Sequence, residues 1–266
     1  MADKAQAVAL ITGAASGIGR AAARQYALDG WIVAAVDLAG PKLDETVAAL
    51  PGEGHQSFGL DLGATGAAQD MIDQVVASVG APTLVMNNAA TRIGRGMDAS
   101  LADWRALFEV NFWAMVETCR LIAPLMQAGA GGAIVNVGSK QGITNPPGHP
   151  AYNIAKSAVK AYTEALAHDL RGVEGAAVTA HLLIPGWTTT GDAAHKPGAW
   201  LPEQVVEMMR DGVAAGDFYI LCPDDETTAE MDHRRISWAA GDITENRPAL
   251  SRWHPDWAET AKKACS

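Results

Sequence analysis

Apolar residues in this chain gather into short runs set apart by longer segments of helical character. The runs are residues 7–12, 31–36, 83–86, 133–137, 178–184 and 218–222, with a weaker one at 55–60. Runs of this length that are apolar throughout, rather than alternating, suit strands buried on both faces, as in a parallel sheet covered by helices. Between them, residues 20–29, 41–50, 66–79, 101–126, 151–171 and 201–214 are expected to be helical. Gly30 is placed to stop the first of these. The segment 101–126 reads as one long helix entered through Ser100 as cap, with Asp103 three residues on. The regular alternation of strand and helix predicts a doubly wound, Rossmann-like α/β fold. It would hold a parallel sheet of about seven strands with helices on both faces. Residues 1–222 are expected to form this domain. Residues 223–266 would be a C-terminal extension carrying a helix around 227–240.

Bulk properties narrow the function. At 266 residues, 48% hydrophobic and 19% charged, the chain can build one large core. The formal charge of −10, with no basic cluster, argues against nucleic acid or anionic membrane as a partner. The three cysteines, Cys119, Cys222 and Cys265, are odd in number and lack CxxC spacing, so reduced thiols in a cytoplasmic protein are expected. No apolar run reaches the length of a spanning helix, and the first residues lack the apolar stretch of a signal peptide. No histidine or cysteine pair has metal-ligand spacing, so no metal is expected.

Chemistry enters at the strand ends. After the first run comes Thr12-Gly13-Ala14-Ala15-Ser16-Gly17-Ile18-Gly19, leading into a helix. Glycines at a strand-to-helix turn let the backbone approach a pyrophosphate, and the free N–H groups of the helix favour its negative charge. The second run ends in Asp37, twenty residues after Gly17, where a carboxylate can accept hydrogen bonds from the adenosine ribose and repel a 2′-phosphate. NAD rather than NADP is therefore the expected cofactor. Ser16 agrees, since no basic residue stands there. Further on, Tyr152 and Lys156 are four residues apart, hence one turn apart on one helical face, with Ser139 thirteen residues ahead of Tyr152 at the end of a strand. A lysine ammonium beside a phenol lowers its pKa from about 10 and makes it a usable proton acceptor.

The TGxxxGxG turn, taken with Ser139, Tyr152 and Lys156, resembles the short-chain dehydrogenase/reductase superfamily in its compact single-domain form, over about residues 5–222. The longer, two-domain epimerase branch has a different glycine spacing. The resemblance implies reversible oxidation of a secondary alcohol to a ketone coupled to NAD. Tyr152 would be the proton acceptor, Ser139 would hold the substrate oxygen, and Lys156 would tune Tyr152 and bind the nicotinamide ribose. Asn111 would hold, through its backbone, a water that links the lysine to solvent. Gly13, Ser16, Gly17, Ile18 and Gly19 would meet the pyrophosphate side, and Asp37 and Leu38 the adenosine ribose. Asp61 with Leu62 matches the adenine contact, though Asp61 could instead cap the following helix. Asn88 and Ala89 would lie near the ribose, where Ala90 replaces the usual glycine. Pro185, Gly186, Thr188 and Thr190 would meet the nicotinamide end. The family also pairs subunits through the helices at 101–126 and 151–171, so a homodimer or homotetramer is implied.

Residues 140–150 contain three prolines and are expected to be a stiff loop, non-helical until Ala151. Gln141, Asn145 and His149 in it are either walls of a substrate pocket or ordinary surface. The segment 191–200 resembles the family's mobile substrate loop, with Trp187 and Trp200 as apolar weight or as plain core anchors. Together these suggest a small-molecule substrate that is hydrophobic, and aromatic or cyclic. The extension, with Trp238, Trp253 and Trp257, either covers a substrate mouth or wraps the sheet edge. Two rival readings are an NADP-linked reductase of 3-oxoacyl thioesters, which Asp37 and the acidic charge oppose, and a non-catalytic dinucleotide sensor, which the presence of both Tyr152 and Lys156 opposes.

Overall fold

The computed structural model describes residues 6–191 and 193–266. The first five residues and Asp192, within the expected substrate loop, lie outside the described residues. Seven strands form one sheet in the order β3-β2-β1-β4-β5-β6-β7, and every pairing is parallel. They are β1 (Val8–Thr12), β2 (Ile32–Asp37), β3 (Gln56–Gly59), β4 (Leu84–Asn87), β5 (Gly132–Val137), β6 (Val178–Ile184) and β7 (Tyr219–Leu221). The helices are α1 (Gly17–Leu28), α2 (Pro41–Ala48), α3 (Ala67–Val79), α4 (Leu101–Phe108), α5 (Ala114–Ala128), α6 (Gln141–Thr144), α7 (Pro150–Arg171), α8 (Pro202–Ala215), α9 (Ala229–Thr244) and α10 (Ala258–Cys265).

The two-sided burial expected of the apolar runs is visible strand by strand. In β1, Ala9 and Ile11 join the core beneath α1 and α8, whereas Leu10 joins the core beneath α3, α5 and α7. In β2, Val33 and Ala35 take the first side and Ala34 and Val36 the second. Successive side chains of a strand point to opposite faces, so each strand contributes to both cores. Strand order reverses between β1 and β4. In an open α/β sheet, the crevice beyond the strand ends at such a point is where ligands bind.

Two local expectations need correction. The expected helix 101–126 is one continuous helical rod, but residues Glu109–Trp113 form a π-helical turn between α4 and α5. Asn111 at its centre is buried. Its amide donates to the Thr91 carbonyl (2.9 Å) and accepts from the Thr91 N–H (2.7 Å). That pair of bonds draws the side chain inward, and the wider turn accommodates it. π turns of this kind often mark functional sites. Residues 140–150 are also not helix-free. Gln141–Thr144 form α6, and α7 starts at Pro150. The Ser139 hydroxyl accepts from the Gln141 N–H (3.2 Å), and the Ser139 carbonyl accepts from the Gly142 N–H (3.0 Å), which starts the turn. Pro146 and Pro147 come after it, and Pro150 sits in the first turn of α7, where a missing N–H costs nothing.

Beyond β7, α9 packs against α6 and α10 packs against α9. In the extension, Arg247 lies over the Trp238 ring at 4.0 Å and forms an ion pair with Asp242 at 3.1 Å. The Trp238 indole N–H donates to Ser251 at 2.7 Å. These tryptophans are consolidated within the extension itself.

Candidate active site

Thr12 and Asn88 shape the turn after β1. The Thr12 hydroxyl accepts from the N–H groups of Asn88 (2.9 Å) and Ala89 (3.0 Å), tying β1 to the end of β4. The Asn88 amide donates back to the Thr12 carbonyl (2.9 Å). Gly13 has φ +68°, and a Cβ there would stand 2.7 Å from the Asn88 amide nitrogen. A Cβ on Gly19 would meet the Gly13 carbonyl oxygen at 2.2 Å. The turn can close this tightly only with glycine at both positions. At the end of β2, the Asp37 carboxylate accepts from the Ala15 N–H (2.9 Å) and the Leu38 N–H (2.7 Å). It is thus fixed beside the turn before any ligand arrives.

A cleft of about 1020 Å³ runs along the strand ends. Gly13, Ser16, Gly17 and Ile18 line it from the turn, Asp37 and Leu38 from β2, and Asp61 and Leu62 from beyond β3. Asn88 and Ala89 follow β4, Ser139 and Gln141 follow β5, Tyr152 and Lys156 come from α7, and Pro185, Gly186, Trp187, Thr188 and Thr190 follow β6. Gly19 packs beneath the turn, where there is no room for a side chain, and does not itself line the cleft. Asp61 also closes its own turn, accepting from the Gly63 N–H (2.9 Å), while the helix it might have capped starts later, at Ala67.

Ser139, Tyr152 and Lys156 converge on one wall. Lys156 is buried, and its ammonium donates to the Val137 carbonyl at 2.7 Å, which holds it 5.8 Å from the centre of the Tyr152 ring. Burial is the largest effect on the Tyr152 phenol and would raise its pKa. The charges of Lys156 and Arg92, with hydrogen bonds from Arg92 and Ser139, outweigh it, and the net direction is down from 10. Lys156 is itself lowered, by burial first and then by Arg92, against the pull of Tyr152. Asn111 does not reach the main cleft. It lines a small recess of about 10 Å³ adjoining the cleft, together with Thr12, Asn87 and Lys156. A polar space of that size is at the lower limit for a single water.

Three of the residues expected to wall the pocket do not line the cleft. Asn145 ends α6 in the left-handed conformation (φ 47°), and its side-chain oxygen accepts from Asn153 (3.0 Å), so it is spent on holding its own loop. His149 stands half-buried just before α7. Trp200 donates its indole N–H to Asp225 (3.1 Å) and packs on the core near α8, as an anchor does.

Sequence reasoning missed two groups. Arg92 lines the cleft, with its guanidinium carbon 4.5 Å from the centre of the Tyr152 ring. The available signal was a basic residue four positions after Asn88, at the end of β4 facing the crevice. The second group is Lys140, whose ammonium lies 3.0 Å from Asp224 and 2.5 Å from Asp232 on α9. Asp224 also accepts from the Trp187 N–H (3.0 Å). The residue after Ser139, the turn after β6 and the extension are therefore joined at one point. No spacing rule relates residues that far apart.

Comparison with known proteins agrees with this geometry. Residues 7–198 match the family model described as short chain dehydrogenase. A probable galactose dehydrogenase of Rhizobium meliloti is 33% identical over 206 residues, spanning 76% of this chain and 78% of that one. A short chain dehydrogenase/reductase from Burkholderia phymatum, solved in complex with NAD, superposes with a TM-score of 0.81 at 26% identity over 93% of this chain and 98% of that one. A metagenomic short-chain oxidoreductase in complex with NADP gives 0.69 at 25% identity, over 82% and 98%. A fold with a parallel seven-stranded sheet, a glycine turn at its switch point and a sequence match over most of the chain lead to one assignment: the protein belongs to the short-chain dehydrogenase/reductase family of oxidoreductases.

Proposed function

We propose that this protein interconverts a secondary alcohol and a ketone, with NAD as cofactor. The observation that carries the reading is the convergence of Ser139, Tyr152 and Lys156 on one wall of a cleft whose far end is the glycine turn and Asp37. The residues present fit a dinucleotide: Gly13 and Gly17 both have positive φ, a Cβ at Gly13 would strike Asn88, and the tight turn they allow lines the cleft where a pyrophosphate would lie. Asp37 would hold the adenosine ribose hydroxyls and repel a 2′-phosphate, which favours NAD over NADP. Lys156 would reach the nicotinamide ribose, and Pro185, Gly186, Thr188 and Thr190 would border the nicotinamide. NAD bound there would supply the acceptor for the hydride that leaves the carbinol carbon.

The chain's own groups handle the proton. In oxidation, Tyr152 as phenolate takes the hydroxyl proton, while the Ser139 hydroxyl donates to the same oxygen and fixes it. Lys156 keeps the phenolate accessible at moderate pH. Asn111 and the small cavity beside Lys156 offer a place for the water that would carry the proton onward. Trp187 and Ile93 give the cleft apolar wall, which suits a substrate with a hydrophobic portion.

A homodimer or homotetramer fits the exposed apolar side chains on the two helical rods expected to pair: Trp113 in the first, Leu125 on α5 and Ile154 on α7. Among the described residues no helix is long and apolar enough to cross a membrane. With the net charge of −10, this favours a cytoplasmic enzyme that does not bind nucleic acid.

The test is NADH formation with a panel of secondary alcohols, and NADH consumption with the matching ketones, for the wild type and Tyr152→Phe. Turnover that needs Tyr152 and prefers NAD over NADP supports the reading. NADH binding without turnover of any alcohol or ketone would favour a dinucleotide sensor instead.

A further inference from the structure

The charges in the cleft are divided by position. Among the described residues that line it, the carboxylates are Asp37 and Asp61, both on the side of β2 and β3, and each accepts from backbone N–H groups. Among the described residues, the charged groups lining the side of β4, β5 and α7 are all cations, in a protein whose net charge is −10. Two of those cations are satisfied within the protein. Lys140 is paired with Asp224 and Asp232, and Lys156 donates to the Val137 carbonyl.

Arg92 is different. It is exposed to the cleft, it lies over the Tyr152 ring, and among the described residues it makes no ion pair. Its charge is felt by other basic groups: Lys156 is lowered by burial first and then by Arg92, and His149 by burial first, then Arg95 and Arg92. A guanidinium over an aromatic face, with one N–H engaged by the Tyr152 hydroxyl and no carboxylate partner among the described residues, keeps its remaining N–H donors for a ligand. A negative charge on a ligand in the cleft would complete it.

From this arrangement we infer that the substrate is a short hydroxy acid or oxo acid, and that Arg92 is the residue that recognises its carboxylate. The assignment rests on the oxidoreductase reading of Tyr152 given above and narrows its substrate class. Because Arg92 sits against the same ring whose hydroxyl handles the proton, the carboxylate and the carbinol carbon are separated by only a short chain. A planar guanidinium can take a carboxylate through two parallel N–H···O bonds, and so fixes its orientation as well as its charge. Trp187 and Ile93 remain for the rest of the molecule.

The experiment compares acids with their own methyl esters. Lactate, 3-hydroxybutyrate and 4-hydroxypentanoate, each racemic, are set against the three esters with NAD and the full chain, and kcat/KM is read from NADH formation. The same pairs are run on Arg92→Met and Arg92→Lys. Using the acid-to-ester ratio cancels any effect of Arg92 on Tyr152, which acts on both members of a pair alike. The best acid should exceed its ester by about 100-fold, the scale of a charge-assisted bidentate contact. That ratio should fall to within a few-fold of one in Arg92→Met and be partly kept in Arg92→Lys. A ratio near or below one in the wild type overturns the inference, and so does a ratio that survives Arg92→Met. Turnover of esters or other neutral alcohols without turnover of acids sinks the carboxylate assignment alone. No NADH from any alcohol and no oxidation of NADH by any ketone sinks the reading of Tyr152, and this inference with it.

Discussion

The two ends of the cleft are built by different means. At the β1 end, the geometry is made almost wholly by backbone: glycines with positive φ, a threonine hydroxyl that accepts two N–H groups, and an aspartate that accepts two more. At the other end, beyond β4, β5 and β6, it is made by side chains that meet across long stretches of chain, Lys140 with Asp224 and Asp232, and Arg92 with Tyr152. The first kind of construction suits a ligand part that never changes. The second can be altered one side chain at a time, which suits the end that must choose a substrate. If this contrast is right, substitutions at the second end should affect chemistry and stability together, whereas those at the first should affect cofactor affinity.

The strongest break is Tyr152→Phe. Removing the phenol oxygen takes away the only proton acceptor in the proposed step, and kcat should fall by about 10³-fold or more. NADH binding, followed by its fluorescence, should change little, because the Asp37 end is untouched. A variant that keeps a tenth of the activity would mean the proton goes elsewhere.

Lys140→Met comes next. It leaves two carboxylates, Asp224 and Asp232, largely buried and facing each other without their cation. Breaking a buried pair in this way costs about 3 kcal/mol, at the lower end of the usual range because the lysine keeps some contact with solvent. Urea unfolding should show it. The double variant with Asp232→Asn should recover part of the loss, since one of the stranded charges is gone. A stability within about 1 kcal/mol of wild type would show that backbone holds this corner too, and the contrast between the two ends would be lost.

Asp37→Asn should act at the other end and by less. A charge-assisted contact is worth about 1.5 to 3 kcal/mol, so the KM for NAD should rise about 10- to 100-fold with kcat nearly preserved. Relative use of NADP should improve as the repulsion is removed. An equal loss in kcat would mean that Asp37 shapes the turn for catalysis through its bond to Ala15, rather than serving the ribose alone.

The same division decides what could be read from sequence. Buried runs such as residues 8–12 and 178–184 announce parallel strands because both faces must be apolar, and a glycine turn announces itself because only glycine fits. Tyr152 and Lys156 are legible because one helical turn fixes their relation. Arg92 and Tyr152 are sixty residues apart and meet through tertiary structure alone. Asn145, His149 and Trp200 were plausible walls by chain position, but position in a loop does not say which way a side chain faces. Asn145 turned to Asn153, and Trp200 to Asp225 and the core. The short helix α6 escaped notice because the prolines that mark residues 140–150 as a loop stand outside the one turn that Ser139 nucleates.

The smallest effect is the most informative about the second end, and it is one of pH. The Tyr152 phenol is held below its ordinary value of 10 because Lys156, Arg92 and the hydrogen bonds outweigh burial. Its basic form predominates above that lowered pKa, so alcohol oxidation should rise with pH through it and then level off. Ketone reduction needs the protonated phenol and should fall through the same value. Arg92→Met removes a lowering charge and a lowering hydrogen bond, while burial and Lys156 remain. The rising limb of oxidation should therefore move to higher pH, with most of the rate lost near neutrality and recovered in alkaline buffer. The measurement is kcat against pH on a neutral secondary alcohol, so that carboxylate recognition plays no part. Lys156→Met should move the limb the same way, since the Lys156 charge is the largest of the effects that lower the phenol's pKa. An unmoved limb in Arg92→Met would mean that the guanidinium leaves the phenol's acidity unchanged. The charged corner would then act through the substrate alone, and proton transfer would depend on Ser139 and Lys156 without help from the end of β4.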